Sequence, residues 1–387
     1  KNLCKVAKEK YGISIILDGV FSHTGCDSRY FNMYSHYDDI GAYNSKESPY
    51  FSWYKFINWP DEYHSWWGIK LLPEVIEEDE GYRNYICGEN GILKKWLRCG
   101  IAGYRLDVAD ELPDIFLDDL RKSVKSENEN AIIIGEVWED ATNKFAYGQR
   151  RKYLLGEELD SVMNYPFADA ILNFVRYANG NAFFNAVLSI IENYPPQVLN
   201  VLMNHIGTHD TERAITRLAG ENPDGHDRAW QFEHNTLSEF DYLKGISMMK
   251  IASLIQFTLP GVPSIYYGDE IGMQGMKDPF NRGCMPWNKP NEELLKWYKR
   301  LGQIRHSSKA FIDGDFEKLY CDGGVIAYSR SSEGDNILVA INNSNEQKRI
   351  FVGTQWDNSY SLFDEKSVDG FVNLPPYRYT LLSKKEY

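Results

Sequence analysis

Short apolar segments that end in an acidic residue recur along this chain, and this repeat limits the folds open to it. The clearest example runs from Gly103 to Glu111, in which apolar residues flank Arg105 and Asp107. Residues two apart on a strand point to the same face, so the arginine and the aspartate are expected to lie side by side. Because burying a lone charge is costly, the pair is either a structural ion pair or part of a functional site. This stretch alone does not decide between the two.

Apolar segments of strand length alternate with segments of helical period from residue 1 to about residue 307. The predicted strands cover residues 13–20, 101–108, 131–138, 159–165, 201–209 and 262–269. The predicted helices cover residues 2–10, 90–98, 114–126, 168–179, 182–193, 240–257 and 291–304. Most strand segments are rich in Leu or β-branched residues, as strands buried on both faces are. This order predicts an α/β fold around a parallel sheet.

Two parts of the chain depart from the alternation. Residues 24–79 are polar and aromatic, lack a helical period and are too many for a loop, which predicts a small inserted subdomain. After residue 307 the pattern changes to short alternating strands separated by turn residues such as Gly323-Gly324 and Asn342-Asn343. We therefore predict an α/β domain over residues 1–307, with its insertion at 24–79, and an antiparallel β domain over residues 308–387.

Charge and cysteine usage exclude several classes of function. A net charge of −13 argues against a nucleic-acid partner. No apolar run is long enough to span a bilayer, so we expect no membrane partner. Six scattered cysteines without a CxxC spacing favour a reduced, cytoplasmic protein. Aromatic residues form 14% of the chain, which suits flat ligands such as sugars, although aromatic residues also fill cores.

Acidic residues mark the C-terminal ends of five of the six predicted strands. They are Asp18, Asp107, Glu136, Asp210 and Asp269. In a parallel α/β barrel the active site is built at that end. One such acid is usually the N-cap of the next helix, but five of them, two near His23 and His209, crowd like charges at a cost that requires a reason. Carboxylates with an arginine and histidines, and no evident metal set or Ser/His pair, indicate hydrolysis of glycosidic bonds.

Four segments resemble the signature regions of the α-amylase superfamily, glycoside hydrolase family 13, and they occur in the order of that family. They are DGVFSH at 18–23, GYRLD at 103–107, GE at 135–136 and HD at 209–210. GVPSIYYGDE at 261–270 adds to the likeness. Within the family, RLDVADE at 105–111 and WWGIKLLP at 66–73 look most like the neopullulanase, cyclomaltodextrinase and maltogenic amylase branch. The resemblance implies a TIM (β/α)8-type barrel with a small subdomain inserted after the third family strand and a C-terminal antiparallel β-sandwich.

The resemblance also implies roles for individual residues. Asp107 matches the catalytic nucleophile, Glu136 the general acid/base and Asp210 the transition-state stabiliser. Glu136 must start protonated, which an apolar setting beside Val137 and Trp138 would favour. The residues expected to bind substrate or orient the acids are His23, Arg105, His209, Glu111 and Trp66. Asp18 matches a buried structural aspartate of the family.

Three of these positions have a second interpretation. Glu111 lines the acceptor side of the site in the branch, but an acid at this position also suits the first turn of a helix. Trp66 and Trp67 either stack on glucose rings or form the core of the inserted subdomain, and we expect one of each.

Two departures from the family pattern bear on metal and substrate. Ser22 stands where the family usually has an asparagine that is often a calcium ligand, which puts calcium at that position in question. We therefore expect no required cofactor and no metal ligands. Leu72-Pro73-Glu74-Val75-Ile76 stands where the branch usually reads Met-Pro-Lys-Leu-Asn, so contacts with the sugar are expected to differ there.

The signature regions lie on the third, fourth, fifth and seventh family strands, which implies that the first two barrel strands are absent from this chain. An exposed sheet edge is expected to favour association, as a homo-oligomer or through the incomplete barrel. The function that the resemblance implies is retaining hydrolysis of α-1,4-glucosidic bonds in maltodextrins, cyclodextrins, pullulan or starch, with some transglycosylation. The alternatives are an α-glucosidase or glucanotransferase of the same fold and a catalytically silent carbohydrate-binding fragment.

Overall fold

The predicted alternation of strands and helices is present in the computed structural model, which describes residues 1–146, 148–363, 367–368 and 370–385. The chain divides into two units, Lys1–Met163 and Asn164–Tyr387. This division does not fall at residue 307, and the predicted domain boundaries stay a prediction. None of the helices in the described ranges is long and apolar enough to cross a membrane.

The first unit contains a parallel sheet with helices packed against it. Its helices are α1 (Asn2–Tyr11), α2 (Glu80–Cys87), α3 (Ile92–Leu97) and α4 (Asp114–Glu127). Its strands are β1 (Leu17–Gly19), β2 (Phe56–Asn58), β3 (Glu62–Tyr63), β4 (Gly103–Leu106), β5 (Ile132–Gly135), β6 (Phe145–Ala146), β7 (Gln149–Arg150) and β8 (Ser161–Val162). The parallel sheet has the order β1–β4–β5–β8, while β2 with β3 and β6 with β7 form separate pairs.

The middle of this sheet requires a glycine. Gly103 has φ +149°, and a Cβ placed there would lie 2.0 Å from the carbonyl oxygen of Ile132 in β5. The close approach aligns β4 with β5 in parallel register, with Leu106 opposite Gly135. As a result, the residues that follow the two strands, Asp107 and Glu136, leave the same edge of the sheet.

The inserted segment 24–79 has an aromatic core of its own. Phe31 is completely buried. The rings around it have centroids 4.8–5.9 Å away and belong to Tyr43, Tyr54, Phe56 and Tyr63. Trp66 and Trp67 do not belong to this cluster, since Trp66 is half-buried and Trp67 is 80% exposed. The prediction that one of the two forms the core of the subdomain is therefore wrong.

The second unit contains the remaining helices and the antiparallel sheet. Its helices are α5 (Tyr165–Tyr177), α6 (Gly180–Asn193), α7 (Pro196–Leu199), α8 (Ala214–Ala219), α9 (Arg228–Glu233), α10 (Glu239–Thr258), α11 (Glu292–Ser307) and α12 (Ala310–Asp313). Strands β9 (Met203–Asn204) and β10 (Val262–Pro263) pair in parallel.

The antiparallel strands follow residue 314. They are β11 (Asp315–Asp322), β12 (Val325–Ser332), β13 (Asp335–Asn342), β14 (Lys348–Phe351), β15 (Ser359–Ser361), β16 (Ser367–Val368), β17 (Phe371–Leu374) and β18 (Arg378–Ser383). One sheet has the order β11–β12–β13–β18–β15–β16, and β14 pairs with β17. A single apolar cluster joins the two sheets, because Leu338 and Leu382 of the larger sheet pack with Ile350 and Val372 of the smaller one.

The observed strands are shorter than the predicted ones, for local reasons. Asn164 caps α5 by accepting a hydrogen bond from the Phe167 amide, so the segment predicted as strand 159–165 becomes helix from Tyr165 onward. Strand β10 ends at Pro263, which has no N–H to continue a ladder. Strand β4 ends before Val108, which has the left-handed φ of 39°.

Candidate active site

Arg105 lies against three carboxylates in the first unit. Its Nη1 is 2.7 Å from Asp107 Oδ1 and 2.8 Å from Asp18 Oδ1. Its Nη2 is 2.8 Å from Glu136 Oε2, a charge contact rather than an aligned hydrogen bond. Burial lowers the pKa of the guanidinium, but the negative charges of Glu136, Asp18 and Asp107 outweigh it and raise the pKa above its ordinary value. The predicted side-by-side placement of Arg105 and Asp107 is confirmed.

Asp18 differs from its predicted setting. The sequence predicted a buried structural aspartate, but the Asp18 side chain is 55% exposed. It lies in β1, opposite Arg105 in β4, and its contact with that arginine fixes the carboxylate at the sheet edge.

Glu136 is buried, and donors reach both of its carboxyl oxygens. Its side chain, which follows β5, is 5% exposed. The Val108 amide donates to Oε2 at 2.9 Å, and Trp138 Nε1 donates to Oε1 at 3.2 Å. Both carboxyl oxygens of Glu136 thus have a donor, and Arg105 lies nearby. The predicted apolar setting stays a prediction, but it left out a polar contact, because the indole of Trp138 presents its N–H to the acid.

The loop after Asp107 is held by residues that follow β5. The buried Arg151 donates from Nη1 to the Asp110 carbonyl oxygen at 3.1 Å and from Nη2 to the Leu112 carbonyl oxygen. The Tyr153 hydroxyl donates to Asp110 Oδ1 at 2.8 Å, and Lys144 Nζ is 3.0 Å from Asp110 Oδ2. These contacts fix the loop that follows Asp107.

Glu111 accepts a hydrogen bond from each of two tryptophans of the inserted segment. Trp66 Nε1 donates to Oε2 at 2.9 Å and Trp67 Nε1 donates to Oε1 at 3.0 Å. The Trp66 ring also stacks on His23, with centroids 5.1 Å apart. The hydroxyl of Ser22, the residue that departs from the family pattern, is 2.9 Å from His23 Nδ1. Glu111, Trp66 and His23, three predicted binding residues, thus lie together.

The protonation of His23 depends on opposing effects. Burial lowers the pKa of the imidazole below its ordinary value, and the negative charges of Asp107 and Glu111 oppose that shift. The imidazole is therefore disposed to be neutral at pH 7, when it can both donate and accept a hydrogen bond.

A buried acid lies just beyond the segment that pairs with His23. The Val75 amide donates to the Ser22 carbonyl oxygen at 3.1 Å, which ties residues 73–75 to the end of β1. Two residues later, Glu77 is 8% exposed. Burial raises the pKa of Glu77 to about 8, and the charges of Glu74, Glu78 and Glu111 add to the shift. This carboxyl is therefore mostly protonated at neutral pH in the folded chain.

We expect the stability of this chain to fall as the pH rises from about 4.5 to about 8, in part because of Glu77. Its pKa is about 8 in the folded chain against an ordinary 4.5, so the folded state binds the extra proton between these values. The contribution is complete below pH 4.5 and is lost as the pH rises through 8, with a slope of up to about 1.4 kcal/mol per pH unit. Urea denaturation across this range should show a shallower slope for Glu77→Gln, while Glu78→Gln, at an exposed neighbour, should keep the slope of the unaltered chain. An unchanged slope in Glu77→Gln would contradict the assignment.

The second unit carries His209 and Asp210 on a loop beyond β9. His209 Nε2 is 3.1 Å from Asp210 Oδ2, and Arg282 Nη2 is 3.4 Å from Asp210 Oδ1. The buried Asn281 donates from Nδ2 to the carbonyl oxygens of His209 and Thr211, at 2.7 Å each. The loop is thus fixed by a side chain from another part of the chain.

Beside this loop lies a buried ion pair. Arg213 is completely buried against the neighbouring rings of Tyr266 and Tyr267, with its guanidinium carbon 4.1 and 4.5 Å from their centroids. Its Nη1 is 3.5 Å from Asp269 Oδ1, and burial raises the pKa of Asp269 to about 7. Asp269, one of the five predicted strand-end acids, therefore belongs to a structural pair in the second unit.

Several contacts of the candidate acids and of the loop after Asp107 were not predicted from the sequence. Arg282 is 72 positions from Asp210, and Arg151 is 41 positions from Asp110. Neither residue lies in a recognised signature, so no local signal could have identified it. Within the described residues, no group of three or more His, Cys, Asp or Glu side chains is arranged to hold a metal ion.

The chain is similar to known proteins in sequence and in fold. Residues 1–359 match the family model described as "Alpha amylase, catalytic domain". The amylopullulanase of Thermoanaerobacter thermohydrosulfuricus is 33% identical over 92% of this chain and 26% of its own length. The cyclomaltodextrinase of Thermoanaerobacter pseudethanolicus is 33% identical over 88% of this chain and 54% of its own length. The chain thus spans about half or less of the length of these curated relatives.

A solved structure of the debranching enzyme of Nostoc punctiforme is 26% identical, with a TM-score of 0.80, over 99% of this chain and 78% of that one. This likeness and the family match cover nearly all of the chain that carries Asp107, Glu136 and Asp210. The chain belongs to the α-amylase family of glycoside hydrolases, family 13.

Proposed function

We propose that this chain is a retaining hydrolase that cuts α-1,4-glucosidic bonds in maltodextrins, cyclodextrins, pullulan or starch and transfers glycosyl groups to sugar acceptors as a side reaction. The observation that carries the proposal is the arrangement of Asp107 and Glu136, which follow neighbouring strands and contact one partly buried arginine, Arg105. Relatives named cyclomaltodextrinase and amylopullulanase support an α-glucan as the substrate class.

Double displacement assigns Asp107 and Glu136 different roles. Asp107, which Arg105 holds by a hydrogen bond, attacks the anomeric carbon, while Glu136 gives its proton to the glycosidic oxygen that leaves. Because Oε2 of Glu136 is held by the Val108 amide, we assign the transferred proton to Oε1, on the side of Trp138. In the second step Glu136 takes a proton from water, whose oxygen attacks the ester on Asp107 and releases the sugar with its α configuration.

The remaining site residues bind or orient the sugar in this proposal. Asp210 stabilises the charge that develops on the sugar, and His23 and His209 donate hydrogen bonds to its hydroxyls. Arg105 orients Asp107, and Glu111 and Trp66 act on the leaving-group side. The reaction uses carboxylates and water, so the proposal requires no cofactor or metal.

The proposal also covers the domain architecture of the chain, its cellular compartment and its association. The parallel strands belong to a (β/α)8-type barrel over residues 1–307, interrupted at 24–79, and the sheets after residue 314 form a β-sandwich. Six free thiols suit a reducing compartment, and we assign the chain to the cytoplasm. Self-association of the chain is part of the same proposal.

Proton NMR during incubation with γ-cyclodextrin tests the function. We expect α-anomeric signals of linear maltooligosaccharides to appear first, because two displacements at one carbon retain its configuration. Asp107→Asn, which keeps the shape of the side chain and removes the nucleophile, should give no such signals. Initial β-anomeric signals, or no turnover by the unaltered chain, would contradict the proposal. Release of single glucose units from linear chains alone would indicate an α-glucosidase instead.

A further inference from the structure

Trp67 combines several features that its own packing does not explain. Its side chain is 80% exposed, and its backbone has φ 51° and ψ 28°. Residues with a side chain rarely adopt this left-handed conformation, and those that do so cluster at functional sites. The one polar atom of the ring, Nε1, donates to Glu111 at 3.0 Å. The chain therefore keeps a large apolar ring in water and in an unfavourable conformation, facing an acid of the candidate site.

The loop that carries Glu111 also contacts the proposed general acid. The Val108 amide donates to Glu136 Oε2 at 2.9 Å, and the Glu111 amide donates to the Val108 carbonyl oxygen at 2.8 Å. A general acid must contact the oxygen of the leaving group. Glu111, one turn from that contact, therefore lies near the proposed general acid, the group that contacts the leaving sugar.

The two indoles offer unequal surfaces. One face of Trp66 is covered by the His23 ring, with centroids 5.1 Å apart, and its Nε1 is bonded to Glu111. Trp67 has its Nε1 bonded to the same carboxylate and its ring centroid 5.9 Å from that of Trp66, yet Trp67 is still 80% exposed. A sugar ring has an apolar face that packs on an open aromatic ring, and Trp67 offers the larger open surface.

We infer that Trp67 is a stacking surface for the glucose unit on the leaving-group side, and that Trp66 is a positioning residue that fixes Glu111 relative to His23. The carboxylate of Glu111 accepts one indole N–H on each oxygen and has further lone pairs free to accept from a sugar hydroxyl. The two indoles and the acid are here called the indole clamp. The clamp sets the position of the Glu111 oxygens that accept from the sugar and the plane on which the sugar ring lies. This inference rests on the proposed glucan hydrolase function.

A pair of substrates separates this role from a structural one. Maltohexaose can place sugars on the leaving-group side, whereas α-maltosyl fluoride leaves only fluoride there. We expect Trp67→Ala to lower kcat/KM on maltohexaose about tenfold, mainly through KM, and to change it less than twofold on the fluoride. Trp67→Phe keeps a ring but loses the N–H, so its kcat/KM on maltohexaose should lie between the values of Trp67→Ala and the unaltered chain. Trp96→Phe, a partly exposed tryptophan on α3, should match the unaltered chain on both substrates.

Tryptophan resonances test the clamp without turnover. In protein labelled with 5-fluorotryptophan, and with signals assigned from the single Trp→Phe variants, Glu111→Gln should shift the fluorine signals of Trp66 and Trp67 but not that of Trp96. Maltotriose added to the inactive Asp107→Asn variant should shift the Trp67 signal.

The outcomes distinguish the inference from the proposed function. Equal losses of Trp67→Ala on both substrates, or no loss on maltohexaose, would overturn the stacking role while the hydrolase stands. An unaltered chain that cleaves neither substrate would overturn the hydrolase. In that case a shift of the Trp67 signal by maltotriose would still support the stacking surface. If maltotriose leaves the Trp67 signal unchanged, the stacking surface is overturned as well.

Discussion

Replacing Glu136 by glutamine is expected to lower kcat/KM on maltohexaose by about 10²- to 10⁴-fold, the range for loss of a positioned acid–base group. Glutamine has the shape of the acid but no proton to give. Its amide oxygen can still accept from the Val108 amide, but its NH₂ would then face the N–H of Trp138, donor against donor. The loss of activity in Glu136→Gln should therefore exceed the loss caused by the missing acidic proton alone.

The leaving group and an added nucleophile make this result specific to acid–base chemistry. On α-maltosyl fluoride, formation of the ester should persist in Glu136→Gln, because fluoride leaves without a proton. Azide should then accelerate turnover and give an α-glycosyl azide, since it attacks the ester without help from a base. The matched control is Glu139→Gln, which alters an acid that is 63% exposed three residues away and should stay within twofold of the unaltered chain. Activity of Glu136→Gln within tenfold on maltohexaose would contradict the assignment of the acid.

The parts of the site that follow from short-range periodicity were predictable from the sequence. Arg105 and Asp107 lie two residues apart at the end of one strand, so the alternation of strand side chains alone places them on one face. The same reasoning places Asp107 and Glu136 at one edge of the sheet, because parallel neighbours end there. Both expectations depend only on local order and on strand direction.

The electrostatic setting of the acids was not predictable, because it depends on contacts between distant segments. The Val108 amide reaches Glu136 from 28 positions away, and Trp67 reaches Glu111 from 44. Val137 and Trp138 count as apolar residues in a sequence, and only the orientation of the indole shows that Trp138 donates a hydrogen bond to Glu136. Burial was likewise misjudged for Asp18, since an apolar strand pattern does not show which end of the strand is open to water.

The guanidinium of Arg105 should matter for folding as well as for catalysis, because Asp107 and Glu136 are only 20% and 5% exposed beside it. We expect Arg105→Met to lower the free energy of unfolding by about 3–5 kcal/mol, the cost of leaving buried charges without their partner. Arg105→Lys should lose less stability, since it keeps a positive charge. It should still lose most of its activity, because one ammonium cannot occupy both guanidinium positions that contact the acids.

The pH dependence of the Arg105→Met defect identifies its cause. The defect comes from carboxylate charges left without their cation, so protonation of the carboxylates at low pH relieves it and a higher pH restores it. Urea denaturation should therefore show a larger gap between Arg105→Met and the unaltered chain at pH 8 than at pH 5. Arg98→Met removes an arginine that is 42% exposed and that also contacts two acids, Glu89 and Glu127, and it should cost much less stability than Arg105→Met. If the two arginines cost the same, or if the gap does not change with pH, then the charge of Arg105 does not hold the acids in place and its contribution is packing alone.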